Sequence, residues 1–272
     1  MTLAALPSSP VLQASLDERD VAQLVMDRPD RHNAFNAELI AALQTAFRAI
    51  ADMPQVRAVV LTGAGKSFSA GADLRYMKAA GGWSFEENQA DGQRLSDMLE
   101  SIASCPAPVI AVAQGNVFGG GVGLVACADL AIAIRGATFR LSEVRLGLTP
   151  ATISPYVIAA LGARNARRLF VTAEPFNALQ AREYGLVHEA AFDAQAADRQ
   201  VAAWIDLILE SAPGAVADAK QLVNDFADRE ISDAIRSESA RRIAERRASD
   251  EGREGLTAFL EKRRANWVKS DA

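Results

Sequence analysis

The sequence contains little cysteine and little histidine. Cys105 and Cys127 do not form a CxxC pair, so no disulfide framework is expected, and both are interpreted as buried small residues in a reducing compartment. His32 and His188 are far apart and lack the spacing of metal ligands, which argues against a zinc site. His32 lies in a turn-like segment after a proline, which favours a loop or binding-site residue over a catalytic base.

Positive charge and long apolar runs are also scarce. The 29 Lys and Arg residues are outnumbered by 34 Asp and Glu residues, giving a net charge of −5, so no basic surface for nucleic acid is expected. The longest apolar runs fall well short of the ~20 residues needed to cross a bilayer. The start "MTLAALPSSP" lacks the basic and apolar regions of a secretory signal. We expect a cytoplasmic protein without a membrane partner.

What the sequence does contain is an alternation of strand-like and helix-like segments. Half of the 272 residues are apolar, which is enough for a large core. Period-two patterns and short continuous apolar runs predict strands, and apolar residues at helical spacing predict helices. The predicted strands lie in 11–29 (a pair around the turn "DERD"), 56–65, 107–115 and 128–136, and the predicted helices in 33–53 and 84–105. This order predicts an α/β fold with parallel pairing.

From about residue 195 the pattern becomes almost wholly helical. Segments such as "QAADRQVAAWIDLILESAP" and "AVADAKQLVNDFA" carry helical spacing without intervening strands. No low-complexity linker separates the two parts. We therefore predict a core over 1–195 and a helical region over 196–272.

Two glycine-marked segments follow predicted buried strands and carry the functional signal. They are "KSFSAGADL" at 66–74 and "QGNVFGGGVGL" at 114–124. Glycine lets the backbone approach a ligand closely, and a helix start adds unpaired N–H donors. One N–H group from each segment could bind the same oxyanion, such as the enolate of a thioester. Close packing of a strand on a helix is the alternative explanation of the glycine run.

These segments, with "ATFRLSEVRLGLTP" and "AREYGLV", resemble the crotonase superfamily, the enoyl-CoA hydratase/isomerase fold. The resemblance runs from "VMDRPDRHNAFN" to "EGLTAFLEKRRANW", which is almost the whole chain. It implies a spiral of ββα units with an α-helical C-terminal trimerisation region. It also implies a homotrimer or dimer of trimers that binds an acyl-CoA thioester. No metal or separate cofactor is implied, because CoA is part of the substrate.

The resemblance further implies specific site residues. The first oxyanion donor falls on the Ala70 N–H and the second on the Gly120 N–H. Other positions of the two glycine segments are implied to line the CoA and acyl pocket: Gly71, Ala72, Asp73, Leu74, Gly119 and Gly123.

A second set of implied contacts involves the CoA moiety. The loop "RPDRHNAFN" matches a CoA-contacting loop, which makes Arg31, Asn33 and Ala34 candidates there. Arg31 suits a phosphate, although an exposed turn residue is the plainer interpretation. Phe259 and Lys262 match positions that reach the CoA of a neighbouring subunit, and helix packing explains Phe259 equally well.

The implied proton chemistry departs from the usual family pattern. Typical hydratases of the family carry two glutamates that hold one water. The second corresponds to Glu143 in "LSEVRLGL", whereas the first is replaced by Gly123. Glu143 is the predicted acid/base, placed on a loop after strand 128–136, with a pKa raised by apolar surroundings. Asn116, Ser142 and Thr149 remain alternative helpers.

The substrate predicted from the resemblance is a branched, carboxylate-bearing enoyl-CoA. "LSEVRLGLTPATISPYV" is similar to the branch containing methylglutaconyl-CoA and carboxygeranoyl-CoA hydratases. Gly123 is expected to open space for such a group, and Arg145 or Arg75 to pair with its carboxylate.

Other activities remain open. A single carboxylate also suits an enoyl-CoA isomerase. Another acyl-CoA lyase, such as a decarboxylase, or a non-catalytic acyl-CoA-binding protein are further alternatives. A nicotinamide dehydrogenase is disfavoured, because the glycine motif lacks the dinucleotide fingerprint.

Overall fold

The computed structural model of the protein describes residues 6–269, and within that range the chain forms nine strands and ten α-helices. The strands are β1 (Leu12–Leu16), β2 (Val21–Met26), β3 (Ala58–Gly63), β4 (Val109–Ala113), β5 (Asn116–Phe118), β6 (Leu130–Ile134), β7 (Thr138–Arg140), β8 (Phe176–Asn177) and β9 (Glu189–Ala191). The helices are α1 (Ala37–Ala51), α2 (Leu74–Ala80), α3 (Phe85–Ala103), α4 (Gly120–Cys127), α5 (Ser154–Thr172), α6 (Ala178–Glu183), α7 (Ala194–Glu210), α8 (Pro213–Phe226), α9 (Asp233–Ala248) and α10 (Asp250–Glu261).

Six strands form one large sheet in the order β1-β2-β3-β4-β6-β9. β1 pairs antiparallel with β2, with Leu12 opposite Met26, and this confirms the predicted strand pair. The other neighbours are parallel. Five of the six residues of β3 are buried, as expected for a parallel strand covered on both faces.

The remaining three strands form a small sheet in the order β5-β7-β8. The chain runs β4-β5-α4 and then β6-β7-α5, so each unit gives its first strand to the large sheet and its second to the small one. These repeated ββα units confirm the α/β prediction. They also place the first residue of α4 shortly after the end of β5.

The two predicted helices of the N-terminal half are present with local start signals. Asn36 caps α1 by accepting a hydrogen bond from the Leu39 N–H at 3.0 Å, as predicted. Ser84 and Glu87 form a reciprocal capping box at the start of α3. Such caps satisfy N–H groups that have no partner within the helix.

The last third of the described chain is helical, as predicted. Ala197, Val201 and Ile205, spaced by four residues in α7, pack against the large sheet, so α7 completes the core. By contrast, α8 and α9 bury no residue fully. No helix within residues 6–269 combines the length and the apolar character needed to cross a membrane.

Arg57 fastens the C-terminal helices to the sheet. It lies just before β3, is 8% exposed, and its guanidinium donates to the carbonyl oxygens of Ile208, Leu209 and Ser211 at the end of α7. A fourth bond reaches the Trp267 carbonyl at 3.2 Å. One buried cation therefore satisfies carbonyl groups that α7 leaves unpaired at its C-terminus.

Candidate active site

A cavity of about 310 Å³ lies between the two glycine-marked segments. One wall comes from the segment that leads into α2, and another from the start of α4. The segment 142–153 and the helix α3 complete it. The lining includes Ala70, Gly71, Ala72, Leu74, Tyr76, Asp91, Leu95, Gly119, Gly120, Ser142, Glu143, Thr149, Thr152 and Ile153.

Glu143 contributes a carboxyl group to this cavity. It is the first residue of a 3-10 helix, Glu143–Leu146. The sequence placed it on a loop directly after β6, but the strand β7 lies between β6 and this 3-10 helix. Its Oε2 atom is buried and has no hydrogen-bond partner among the described residues. Burial raises the pKa of Glu143, against a smaller lowering by its own backbone N–H. A carboxyl group whose pKa is raised by burial can act as a proton-transferring acid or base.

The backbone at Gly119 makes room for this carboxyl group. Gly119 has φ +49°, and a Cβ built there would lie 2.9 Å from the Glu143 Oε1. Its N–H donates to the Arg140 carbonyl at 2.8 Å, which joins the glycine run to the end of β7. Glycine is therefore required by both the backbone conformation and the close approach of Glu143.

Gly120 presents one free amide to the cavity. As the first residue of α4, its N–H has no acceptor within the helix and lies at the positive end of the helix dipole. Gly120 also lines the cavity. The donor role that the sequence predicted for Gly120 stays a prediction, for which this N–H is available.

The structure corrects the prediction for Ala70. Its N–H donates to the His32 carbonyl at 2.9 Å, so it is not free to bind a ligand oxygen. The His32 ring instead hydrogen-bonds the Ser67 hydroxyl through Nδ1 at 3.0 Å, outside the cavity lining. His32 is thus a loop residue, as expected. Its carbonyl oxygen accepts the hydrogen bond from the Ala70 N–H, which was predicted to bind the substrate oxygen.

A different amide of the same segment is available, that of Ala72. Phe35 pairs with Ala72 in a parallel bridge. The Phe35 N–H donates to the Gly71 carbonyl at 2.7 Å and the Phe35 carbonyl accepts from Asp73 at 2.8 Å. This pattern directs the Ala72 N–H away from Phe35. That N–H has no acceptor among residues 6–269, and Ala72 lines the cavity.

Asn33 supports this segment from within. It is fully buried; its Oδ1 accepts from the Arg28 N–H at 2.8 Å, and its Nδ2 donates to the carbonyls of Ala64 and Ser67. All of its polar atoms are therefore used inside the protein. The structure corrects the prediction that Asn33 contacts CoA, since it fixes the loop that carries the site.

Asp73 plays a similar structural part. Its carboxylate pairs with Arg28 at 3.0 Å and caps α2 by accepting from the Arg75 N–H at 2.9 Å. Burial alone would raise the pKa of Asp73, but the hydrogen bonds from Arg75 and Arg28 outweigh it and lower that pKa. Asp73 is not part of the cavity lining, so it holds Ala72 in place rather than lining the pocket as predicted.

The structure also corrects the expectation that Gly123 opens space. A Cβ at Gly123 would lie 2.4 Å from the Ile153 Cγ2 and 3.6 Å from the Leu99 Cδ2. The Ile153 side chain therefore occupies the volume that a side chain at residue 123 would need. Gly123 is buried and does not line the cavity.

Of the remaining residues predicted to contact CoA or the acyl group, Gly71 and Leu74 line the cavity and the others do not. Leu74 lines the cavity and is 79% exposed. Arg31 is exposed at the end of a 3-10 helix, and Ala34 is buried. Phe259 is 80% exposed, and Lys262 ends α10 in a left-handed conformation. Neither of these two C-terminal residues meets the cavity within this chain.

Of the polar helpers proposed for Glu143, Ser142 and Thr149 line the cavity and Asn116 does not. Neither Arg75 nor Arg145 lines it either. The described lining residues therefore include hydroxyl groups but neither of these two arginines.

Sequence reasoning missed three polar lining residues, Tyr76, Asp91 and Thr152. The Tyr76 hydroxyl donates to the Asp91 carboxylate, which also pairs with Arg94 at 2.9 Å. Burial, with the Asp91 hydrogen bond, raises the pKa of Tyr76 to about 12, so its hydroxyl stays protonated. The available signal was the spacing of Asp91 and Leu95, which places an acid on the cavity-facing side of an amphipathic helix.

Residues 17–270 match the family described as enoyl-CoA hydratase/isomerase. A crotonyl-CoA hydratase from Syntrophomonas wolfei is 34% identical over 92% of this chain and 95% of its own length. The crystal structure of an enoyl-CoA hydratase from Shewanella pealeana superimposes with a TM-score of 0.91, at 41% identity over 94% of this chain and 96% of that chain. The chain spans only 59% to 67% of the length of three enoyl-CoA hydratases from Alternaria alternata.

Proposed function

The chain belongs to the enoyl-CoA hydratase/isomerase family, and on that premise we propose that it is an enoyl-CoA hydratase. The observation that carries the proposal is a buried, unpaired carboxyl oxygen of Glu143 in the same cavity as two unpaired backbone amides. A hydratase needs these two functions, a proton-transferring group and a site for a negatively charged oxygen. The names of the relatives, crotonyl-CoA hydratase among them, support the same reaction.

The thioester oxygen is proposed to bind the N–H groups of Ala72 and Gly120. These donors come from the two segments that meet where Gly71 approaches Gly119. Their hydrogen bonds strengthen as the oxygen gains charge, so they stabilise the enolate more than the substrate. Loss of one such donor in an enzyme typically costs about 3 kcal/mol of transition-state stabilisation.

Glu143 is proposed to transfer the proton. Its carboxylate removes a proton from water as the water oxygen forms a bond to the β-carbon of the enoyl group. The electron pair of the double bond moves toward the thioester oxygen, which becomes the enolate oxygen. The protonated Glu143 then gives its proton to the α-carbon, and the carbonyl re-forms. One carboxyl group thus begins and ends the cycle ionised.

The sequence predicts a branched acyl group that bears a carboxylate. We propose that this carboxylate binds hydroxyl groups and not the arginines predicted from the sequence. Since Arg75 and Arg145 do not line the cavity, the distal carboxylate would bind the hydroxyls of Ser142, Thr149 and Thr152, which do. Hydroxyl donors to an anion form charge-assisted hydrogen bonds. The proposed substrate class is that of 3-methylglutaconyl-CoA, and a comparison with uncharged enoyl-CoAs tests it.

An enoyl-CoA isomerase is the second candidate, because one observation favours it. Ile153 fills the place of a second acid at residue 123, and moving a proton between the α- and γ-carbons requires only one carboxyl group. The oxyanion site and Glu143 would serve that reaction without water.

Incubation of the purified protein with crotonyl-CoA, 3-butenoyl-CoA and 3-methylglutaconyl-CoA separates these reactions by chromatography and mass spectrometry. We expect crotonyl-CoA and 3-methylglutaconyl-CoA to gain one molecule of water. Glu143→Gln should lower kcat about 10²- to 10⁴-fold, the usual contribution of a general acid/base. Interconversion of 3-butenoyl-CoA and crotonyl-CoA without addition of water would instead identify an isomerase.

We also propose the trimeric assembly that the sequence resemblance implies. Its support is the apolar surface of α10, where Leu256, Phe259 and Leu260 are exposed, since a large exposed apolar patch marks an interaction surface. Phe259 and Lys262 would then approach the CoA of a neighbouring subunit. Light scattering coupled to size exclusion should give three or six times the mass of one chain.

A further inference from the structure

Ile153 and Leu99 form an apolar wall beside α4. Ile153 is 3% exposed and lines the cavity. Its Cγ2 and Cβ lie 2.4 Å and 2.9 Å from the position that a Cβ at Gly123 would occupy. The glycine and the isoleucine are therefore complementary in volume, and the Ile153 side chain fills the space that a side chain at residue 123 would need.

This wall lies close to the proposed thioester site. Gly120 and Gly123 are three residues apart in α4, which places them on one face of the helix, about 4.5 Å apart along its axis. A thioester whose oxygen accepts from the Gly120 N–H therefore has its α- and β-carbons within reach of Ile153. Glu143 approaches the helix at Gly119, before Gly120, while Ile153 meets it after Gly120.

We propose that Ile153 is a specificity-determining residue, which packs against the acyl carbons next to the thioester and selects a methyl-substituted β-carbon. The proposal rests on the proposed acyl-CoA site. Its physical basis is burial of apolar surface, which changes affinity about fourfold for each buried methyl group. A hydrocarbon wall at this point favours an alkyl branch, because a polar substituent would lose its hydrogen bonds to water there.

Binding of saturated thioesters tests this contact without depending on catalysis. The probes are butyryl-CoA and isovaleryl-CoA, which differ by one methyl group on the β-carbon, and the readout is Kd by isothermal titration calorimetry. The wild-type protein should bind isovaleryl-CoA about fourfold more tightly. Ile153→Ala should abolish that preference while leaving the affinity for free CoA within twofold.

The pair Ile153→Val and Ile153→Thr separates packing from folding. Valine and threonine have nearly the same shape, so a difference between the variants reports the polarity of the wall. Threonine should weaken isovaleryl-CoA binding at least fivefold relative to valine. Ile158→Thr, in α5 and outside the cavity lining, is the matched control and should bind both thioesters as the wild type does.

The outcomes for the inference and for the proposed function are distinct. Equal affinities of the wild-type protein for the two thioesters, or equal affinities of the valine and threonine variants, would overturn the role of Ile153. Failure to hydrate any enoyl-CoA, with the methyl preference intact, would overturn the hydratase assignment and leave the role of Ile153 standing. If the alanine variant fails to fold, the valine variant still tests the role of Ile153. It removes a single methylene group and should show a reduced preference for isovaleryl-CoA over butyryl-CoA.

Discussion

The Glu143 Oε1 lies so close to Gly119 that a Cβ on that glycine would stand 2.9 Å away. The carboxyl group that we propose as acid/base and the glycine run that carries the proposed oxyanion donor are therefore in direct contact. Each residue of the pair restricts the position of the other. This relation explains why the glycine run tolerates no side chain at its N-terminal end.

Gly119→Ala should displace the Glu143 carboxyl group and strain a backbone with φ +49°. We expect the free energy of unfolding to fall by about 1–2 kcal/mol, and kcat/KM to fall at least tenfold. Gly136→Ala is the control, because a Cβ there meets no atom within 4 Å. Equal activities of the two variants would show that the contact does not position Glu143.

Ionisation of buried Glu143 should reduce stability, because burial raises its pKa in the folded protein above its ordinary value of 4.5. The folded state then binds more protons than the unfolded state between these two pKa values. The stability contributed by the protonated Glu143 carboxyl group is present below pH 4.5 and is lost as pH rises through the raised pKa. Glu143→Gln, which cannot ionise, should have a higher Tm than the wild type at pH 7 and a similar one at pH 4. A lower Tm for the variant at pH 7 would contradict the raised pKa.

The same shift sets the acid side of the activity profile. Since the ionised carboxyl group accepts the proton from water, kcat/KM should decrease as pH falls, with a midpoint above 4.5. A pH–rate profile of the wild-type protein measures this midpoint. A midpoint at or below 4.5 would show that Glu143 is not the buried base.

Asp73→Asn should loosen the segment that holds Ala72. Asparagine retains the N-cap of α2 but loses the charge that pairs with Arg28 at 3.0 Å. Because both side chains are largely buried, we expect a loss of about 2–4 kcal/mol in the free energy of unfolding and a lower kcat with a small change in KM. Asp30→Asn, on the exposed 3-10 helix, is the control in denaturant titrations and rate assays. Unchanged kcat in Asp73→Asn would mean that the ion pair does not position the Ala72 amide.

Arg57→Lys tests whether the predicted regions 1–195 and 196–272 unfold together. Lysine cannot reach the four carbonyl groups that Arg57 satisfies, so we expect a loss of at least 2 kcal/mol. Wild-type unfolding should be one cooperative transition, and the variant should unfold at lower denaturant. Arg48→Lys, on exposed α1 surface, should behave as the wild type. A separate early transition in the wild-type protein would show that the helical region is an independent unit.

The sequence pattern was sufficient for the elements with strong local signals. The β1–β2 hairpin, α1 with its Asn36 cap and the buried strands β3, β4 and β6 followed from periodicity and capping residues. The strands β5, β7, β8 and β9 were missed because they have three residues or fewer. Strands of that length carry too little alternation to be distinguished from loops.

The site was predictable only where backbone chemistry marks the sequence. The Gly120 amide follows from a glycine run at a helix start, whereas the choice between Ala70 and Ala72 depends on which amide the His32 carbonyl uses. The space beside Gly123 is filled by Ile153, a residue thirty positions further along the chain, so no local pattern could predict it. The Tyr76–Asp91 hydrogen bond joins two helices, and neither residue has a local motif.

Transfer of oxygen from solvent is the most direct test of the hydratase assignment. The protein is incubated with crotonyl-CoA in water enriched in oxygen-18, beside Glu143→Gln, and the thioesters are analysed by mass spectrometry. A 3-hydroxyacyl-CoA that carries the heavy oxygen on its β-carbon, formed by the wild type and at least a hundredfold more slowly by the variant, is the predicted result. Unlabelled thioesters after complete incubation, or labelling that proceeds equally in the variant, would contradict water addition by Glu143.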